Sequence, residues 1–420
     1  MSQPHRFLVV AHSARLLAQS AARARLPVCA LDLFNDDDTA RLAQASEAVN
    51  PRAGDSPGFD RDDLLRRADR LCPPSQCLGL VYGAGFEDDT ETLALLARGR
   101  ELFGNRPELV ARLKDPAAFF GLLDHLSIPH PATQLSGPAD RRGWLYKRRG
   151  ASGGAHVIDA TAGPGEPAPG AGYFQRRTPG RNLSLLFLAD GRRAEVLGVS
   201  RQFTRGRSGQ RYAYAGAVGP IGLPVAVTRT LRDAVQALVA HTGLVGCNSV
   251  DFLLHGTRPY VLEINPRPSA TMDLYDGNWP TGLFEAHLRA CRGRLPGASG
   301  PCRSRGVRAH AIVYADRPLR VAPDTAFAAW CTDIPRAGST VAVDAAVCTV
   351  HADGADVITA LRQLGRRRRR TAMELTARLN SEEIGNGRKN NAPERESWRQ
   401  PAGRSAAGGS GCPAPGGSPS

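Results

Sequence analysis

Apolar positions in the first hundred residues fall into short blocks of two kinds. Phe7–Ala11, Val28–Phe34 and Leu78–Tyr82 are nearly continuous apolar runs and predict strands. Ala14–Arg25, Leu64–Leu71 and Thr90–Arg98 repeat their apolar residues at helical spacing and predict helices that cover those strands. Strand and helix in alternation predict a parallel sheet. Gly83-Ala84-Gly85-Phe86 follows the third strand, at the carboxyl edge where open α/β sheets place ligands. A Gly-x-Gly there also serves an ordinary turn.

The pattern changes after two further helices, Pro107–Arg112 and Ala117–Leu126, the second ended by Pro129 and Pro131. Strands are predicted at Trp144–Arg148, His156–Ile158, Tyr173–Arg177, Leu183–Leu188 and Ala194–Ser200, with a Gly/Pro/Ala loop over Gly163–Gly172. A long helix, Val225–His241, leads to the apolar runs Val250–Leu254 and Tyr260–Ile264, which flank a turn at His255–Pro259. After a helix at Leu283–Cys291 comes a Gly/Pro/Ser linker, then a strand-rich stretch from Val307 to Leu364.

The hairpin carries the clearest chemistry. Asp251 and Glu263 are equally far from Thr257, so a symmetric hairpin sets them opposite each other. Cross-strand Cβ atoms lie about 4.5–5.5 Å apart, where like charges destabilise a sheet. Asn265 shares the face of Glu263, because strand side chains repeat every second residue. Two carboxylates and an amide oxygen suit a hard cation such as Mg²⁺ beside substrate phosphates. Arg267 follows, a planar cation suited to phosphate or carboxylate. The ordinary alternative is a hairpin with solvated charges on its exposed face.

Upstream, Lys147-Arg148-Arg149-Gly150-Ala151-Ser152-Gly153-Gly154 is a strand running into a glycine-bearing loop. Such loops let N–H groups approach phosphate oxygens while a lysine supplies charge. No Gly-Lys-Ser/Thr opens a helix, so this is not a P-loop. Taken alone it also fits a basic hairpin, Lys114 a surface lysine, and Tyr173–Thr178 a half-buried strand.

Composition adds bounds. A chain of 420 residues accommodates two or three domains. The N-terminus lacks a convincing signal peptide, and no apolar run reaches the roughly 20 residues that span a bilayer, so a cytoplasmic setting without membrane insertion is expected. Nine cysteines at irregular spacing read as reduced structural thiols. Residues 361–420 hold 12 Lys and Arg against 5 acidic residues, half of the net charge of +14. Arg366–Arg370 and the Gly/Ser/Pro-rich residues beyond it are expected to form a solvated, disordered extension. The rival is a nucleic-acid-binding tail, disfavoured because no aromatics interleave the charges.

In this order the segments HSARLLAQSAARARLPVCALDLFNDDDT, LKDPAAFFGLLDHLSIPHP, LYKRRGASGGAHV, YFQRRTPGRNLSLLF and VDFLLHGTRPYVLEINPRPSATMDL resemble the ATP-grasp superfamily. The resemblance spans about residues 5–360 and is nearest to the predicted ATP-dependent carboligases related to biotin carboxylase. It implies an α/β pre-ATP-grasp domain with a parallel sheet (1–110) and an α+β ATP-grasp domain (111–292). A small C-terminal β-rich part packing on the grasp domain (300–365) and a disordered basic tail (366–420) complete the expected organisation.

Residue by residue, the resemblance implies ATP contacts at Lys114 and Lys147, a lid of Gly150, Ser152, Gly153 and Gly154, and an adenine segment Gln175, Arg176, Arg177, Thr178. Asp251, Glu263 and Asn265 would hold Mg²⁺ (or Mn²⁺), with Lys147 and Arg267 catalytic. The family often has Glu at the Gln175 position and an apolar or acidic hinge at Arg176 and Arg177. No biotin-attachment sequence of the Met-Lys-Met type occurs. The implied reaction joins a small-molecule carboxylate to an amine through an acyl phosphate, releasing ADP and phosphate. Ligases of this group include one acting in methanofuran synthesis, which suggests a one-carbon cofactor setting. A carboxylase or a thioester-forming ligase of the same fold is the alternative. The identity of both substrates and the oligomeric state are left open by the sequence.

Overall fold

Each apolar strand run near the N-terminus is followed by a segment that buries it, and a parallel sheet results. The computed structural model describes residues 5–54, 58–163, 168, 170–207, 210–297 and 306–386. Strands β1 (Arg6–Val10), β2 (Val28–Asp32), β3 (Ala45–Ala48), β4 (Cys77–Tyr82) and β5 (Leu102–Phe103) lie in the order β3-β2-β1-β4-β5, all pairs parallel. The helices α1 (Arg15–Arg23), α2 (Asp37–Leu42), α3 (Arg61–Leu71) and α4 (Thr90–Leu96) connect them. β3 was not expected, because ASEA carries no apolar run; its register with β2 comes from the sheet it joins.

α5 (Pro107–Lys114) and α6 (Pro116–His125) are separated by one residue. Asp115 ends the first and caps the second, its carboxylate accepting from Ala118 N at 2.9 Å with Pro116 at the first helical position. Lys114 therefore stands at the end of a helix, pinned by its neighbour.

A small antiparallel sheet follows, built from β6 (Thr133–Gln134), β7 (Trp144–Arg148), β8 (Val157–Asp159) and β9 (Gly172–Arg176) in the order β6-β9-β7-β8. The larger sheet takes β10 (Arg181–Asp190), β11 (Ala194–Arg207), β12 (Gln210–Gly219), β13 (Val245–His255), β14 (Arg258–Asn265) and β15 (Val307–Tyr314). After β16 (Leu319–Arg320), β17 (Cys331–Thr332) and β18 (Thr340–Val341), β19 (Ala346–Gly354) joins the same sheet. Its order is β14-β13-β10-β11-β12-β15-β19-β17, while β16 and β18 pair separately. β15 pairs with β12, Gly216 opposite Ala311, so the C-terminal strands extend the larger sheet directly. α7 (Val225–Thr242) buries Leu231, Val235 and Leu238 in the cluster that holds Phe187 and Phe252. α8 (Asp273–Asp276) and α9 (Gly282–Cys291) follow the hairpin.

α10 runs over Val357–Asn386 and so continues past residue 366, where the extension was expected to begin. The chain divides into two units, 376–420 and the much larger 1–375. Within it, Ala360, Leu364 and Thr371 are buried at helical spacing, a stripe masked in the sequence by five consecutive arginines. Those arginines are not all solvated. Arg367 and Arg370 lie over the Trp330 ring at 5.0 and 5.3 Å, and Arg367 donates to His351 O at 2.8 Å. The rest of the expected extension, 387–420, lies outside the described residues. Among the described residues no helix is long and apolar enough to cross a membrane. Seven described cysteines are free thiols, as their spacing suggested.

A chain ending at Gly365 should be less stable than the full chain by about 2 kcal/mol or more, since each cation–π contact on Trp330 contributes about 0.5–1 kcal/mol and the buried Thr371 is lost as well. Urea melts measure this; an unchanged midpoint would show that the helix does not hold the fold.

Candidate active site

The hairpin of β13 and β14 sets Asp251 opposite Glu263, though not by the symmetric route expected. His255 pairs with Arg258 across a two-residue turn, in which Gly256 takes the left-handed conformation (φ +59°). That turn alone would pair Asp251 with Leu262. The register shifts between Asp251 and Phe252, however, because Phe252 pairs with Val261 and Leu262 is left as a bulge. The short turn and the bulge compensate, and the carboxylates come into line. Ser249 pairs with Asn265, whose Nδ2 donates to Asp251 Oδ2 at 3.3 Å. Gln202 of β11 donates to Asp251 Oδ1 at 3.2 Å.

Cations gather on this face. Lys114 Nζ lies 3.2 Å from Glu263 Oε2 and donates to Asn265 Oδ1 at 3.4 Å. Burial, then the Glu263 charge, pushes Asp251 up to about 6. Glu263 is held below the ordinary carboxylate range: burial would raise it, but Lys114, Lys147 and His156 outweigh that. His156 had gone unnoticed in the sequence; burial pushes it down to about 4, which keeps its ring neutral.

Lys147 reaches the site from β7. In the small sheet Lys147 pairs with Tyr173 and Leu145 with Gln175, so Lys147 and Gln175 are diagonal neighbours on one face. Lys147 Nζ donates to Gln175 Oε1 at 2.7 Å, and Gln175 Nε2 donates to Thr133 Oγ1 at 3.3 Å. Burial lowers Lys147 to about 8 despite the pull of Glu263 and Asp251.

The remaining expected positions divide. Gly150, Gly153 and Gly154 all have positive φ, the property that favours glycine in a loop of this kind. A Cβ on Gly154 would meet Tyr212 O at 2.0 Å, and Gly153 O accepts from Tyr214 N at 2.9 Å, so the loop is laid against β12. Ser152 is half-buried beside them. The side chains of Arg176 and Arg177 are exposed. Arg176 lies over the Trp144 ring at 5.7 Å, and Arg176 N and Arg177 N donate to Ala132 O and Gly143 O. Thr178 Oγ1 donates to Arg176 O at 3.2 Å. Of this segment only Gln175 joins the charged cluster.

Arg267 is buried and has a partner that sequence reading missed. Its Nη2 is 2.7 Å from Glu87 Oε1 and its Nε donates to the same oxygen at 2.8 Å. Burial would raise Glu87, but Arg267 and Lys114 outweigh it and hold the carboxyl down at about 2. Gly85 N and Phe86 N donate to Glu87 Oε2 at 2.8 and 3.1 Å. The Gly83–Phe86 loop thus wraps its own acid, which in turn holds Arg267. Proximity of Glu87 to a flagged loop was the only available signal.

The donor set fits a hard divalent cation: two carboxylates and one amide oxygen, all oxygen, with a lysine ammonium already bridging two of them. Beside it stand Lys147, bonded to Gln175, and Arg267, whose Nη2 donates to Asn265 Oδ1 at 3.4 Å.

Residues 117–271 match a family model described as an ATP-grasp domain. No curated protein matches the chain by sequence. The biotin carboxylase of Campylobacter jejuni, solved as a β,γ-ATP complex, is similar in structure at TM-score 0.65 and 13% identity, covering 84% of this chain and 89% of that one. The biotin carboxylase domain of Hydrogenobacter thermophilus 2-oxoglutarate carboxylase, solved with MgADP, ADP and bicarbonate, gives TM-score 0.64 at 13% identity over 86% and 89%. Rhizobium etli pyruvate carboxylase gives TM-score 0.67 at 15% identity over 87% of this chain, which spans only 37% of that one. Residues 117–271 thus form an ATP-grasp domain, and the chain has the fold that biotin carboxylases share.

Proposed function

We propose that this chain is an ATP-dependent carboxylate–amine ligase, using the cluster around Asp251 and Glu263. The observation that supports this most is the in-register pairing of those two carboxylates beneath Lys114, Lys147 and Arg267. In the proposed reaction a carboxylate oxygen attacks the γ-phosphorus of ATP, giving an acyl phosphate and ADP. The amine lone pair then attacks the acyl carbon, the carbon–oxygen bond to phosphate breaks, and an amide and phosphate leave. Asp251, Glu263 and Asn265 would hold Mg²⁺ or Mn²⁺, which supplies charge neutralisation on the phosphate oxygens. Lys147 and Lys114 bind phosphate oxygens, and Arg267 faces the transferred group; the work is positioning and charge stabilisation.

None of the residues assigned to this cluster is a cysteine, and among the described residues neutral His156 has no nucleophile bonded to it and Ser152 no hydrogen-bonded base. A covalent enzyme intermediate is therefore not part of the proposal. A setting in one-carbon cofactor biosynthesis belongs to the same proposal. A second reading is carboxylation, with bicarbonate as the carboxylate; a similar fold solved with MgADP and bicarbonate favours testing it.

Glu263→Gln should cut turnover by about 100-fold or more, the usual cost of losing one charge-stabilising group, while the melting temperature without ligand stays near wild type. The wild-type chain should gain thermal stability from millimolar MgATP. Absence of that shift would remove the nucleotide reading.

The Lys147 ammonium must be charged to hold phosphate, and it titrates at about 8 in the free chain. Nucleotide affinity should be flat below that pH and fall by up to about tenfold per unit above it, until the bound lysine itself titrates. Lys147→Arg should carry the plateau to higher pH, as seen in titrations at several pH values. An unchanged profile would mean Lys147 is not the contact.

With ATP and the correct carboxylate, hydroxylamine should trap a hydroxamate, and oxygen-18 from the carboxylate should appear in phosphate. Formation of AMP and pyrophosphate would overturn the acyl-phosphate route. ADP release driven by bicarbonate alone would favour the carboxylase reading instead.

A further inference from the structure

A second group of ligand-type side chains meets away from the residues assigned to nucleotide and Mg²⁺. His310 and His351 are directly paired across β15 and β19, and their rings stand 6.0 Å apart. Asp273, at the start of α8, lies over them. Its Oδ2 is 4.0 Å from His310 Nδ1 and 3.6 Å from His351 Nδ1, and the three donor atoms all fall within 4.8 Å of one another.

The hydrogen bonds behind the rings decide which nitrogens face inward. His310 is 3% exposed, its Nε2 is 2.7 Å from Tyr214 Oη, and its Nδ1 has no hydrogen-bond partner. His351 Nε2 is 2.7 Å from Thr332 Oγ1, and that hydroxyl donates to Asp333 Oδ2 at 3.4 Å. Having given its proton to Asp333, Thr332 accepts from His351 Nε2–H, which leaves the Nδ1 lone pair on the Asp273 side. His351 thus donates outward to a hydroxyl and turns a lone pair toward the carboxylate, while His310 is held at Nε2 by the Tyr214 hydroxyl with its unpartnered Nδ1 on the same side, the outer-shell arrangement that orients metal-bound histidines.

The nearby charges leave room for a cation. Arg15 is the positive group at hand, 3.1 Å from Asp333 and 3.5 Å from Asp273. Asp32, Asp36 and Asp38 crowd the same corner: Asp38 accepts from Asp333 N and Ile334 N, and burial together with Asp333, Asp32 and Asp38 pushes Asp36 up to about 8. Arg15 thus faces Asp273 and Asp333 together.

We propose that Asp273, His310 and His351 form a second metal site that takes a borderline divalent transition ion, Zn²⁺ in preference to Mg²⁺. Two imidazoles and one carboxylate are the donors such an ion selects, and three protein ligands leave a coordination position open for water or a substrate group. Metal–ligand distances of about 2.0–2.2 Å place tetrahedral ligand atoms roughly 3.4 Å apart, so the three atoms must draw together by up to about 1.5 Å, and the partial exposure of His351 (26%) provides an entry. The site uses none of the residues of the proposed ATP site and stands whether or not that reading holds.

The full chain, stripped of metal, is titrated with Zn²⁺ by calorimetry and with Co²⁺ by visible absorption. One equivalent should bind with micromolar affinity or better, with cobalt bands of a nitrogen/oxygen site and no thiolate charge-transfer band. His351→Gln and Thr332→Val should each weaken binding about tenfold or more, leaving the MgATP melting shift in place. His351 is partly exposed, so its variant should fold; the wild-type cobalt spectrum identifies the ligand class without any variant. Absence of stoichiometric binding, a thiolate band, or affinity indifferent to both substitutions would overturn the site.

Discussion

Two carboxylates on neighbouring strands, Asp251 and Glu263, impose a cost that the surrounding structure is arranged to offset. At a Cβ spacing of about 5 Å and an effective dielectric near 20, two like charges repel by on the order of 3 kcal/mol. The chain answers from three directions. Lys114 comes from the end of α5, Lys147 from the small sheet, and Arg267 from the segment just past β14. No one element supplies both the acids and the bases, so the cluster exists only when the small and large sheets face each other. The pair responds by splitting: Asp251 rises toward neutrality and Glu263 stays ionised beside Lys114.

Arg267 illustrates how position and charge are separated in this site. Its buried partner Glu87 stays ionised, so the pair carries little net charge until an anion competes for the guanidinium. A buried pair of this kind adds little stability, but losing one member costs about 3–5 kcal/mol. Its evident contribution is geometric. It ties the carboxyl edge of the parallel sheet to the β13–β14 hairpin, and Asn105 repeats the link by donating to Asn248 Oδ1 at 2.8 Å and Pro266 O at 2.9 Å. Tyr82 Oη donates to Asn105 O at 2.7 Å within the same junction. The positive charge beside the carboxylate pair then falls mainly to Lys114 and Lys147.

The basic character of the chain has a partly structural origin. Arg367 and Arg370 spread their planar guanidinium groups over Trp330, and α10 buries Ala360, Leu364 and Thr371 beneath the arginine run. Charge committed to an indole ring and a backbone carbonyl is less available to a polyanion. The same helix brings Arg367 to the His351 carbonyl, so α10 also braces the strand that carries that histidine.

Sequence alone determined the parallel sheet and the helix–helix joint at Asp115-Pro116, because each rests on local periodicity or a local cap. It reached the Asp251–Glu263 pairing through a symmetric turn that does not exist; the bulge at Leu262 is a matter of sheet twist and packing, which spacing does not encode. β3 and β12 escaped notice because their residues take extended form only by pairing with strands already in place. α10 escaped notice because five arginines hide an apolar stripe whose meaning depends on Trp330 and Cys331, some forty residues earlier in the chain. Glu87, Gln202, His156 and the Asp273–His310–His351 group were decided by tertiary structure alone. Each draws its environment from side chains far away in sequence, and burial and charge at such a distance arise only once the sheets are assembled.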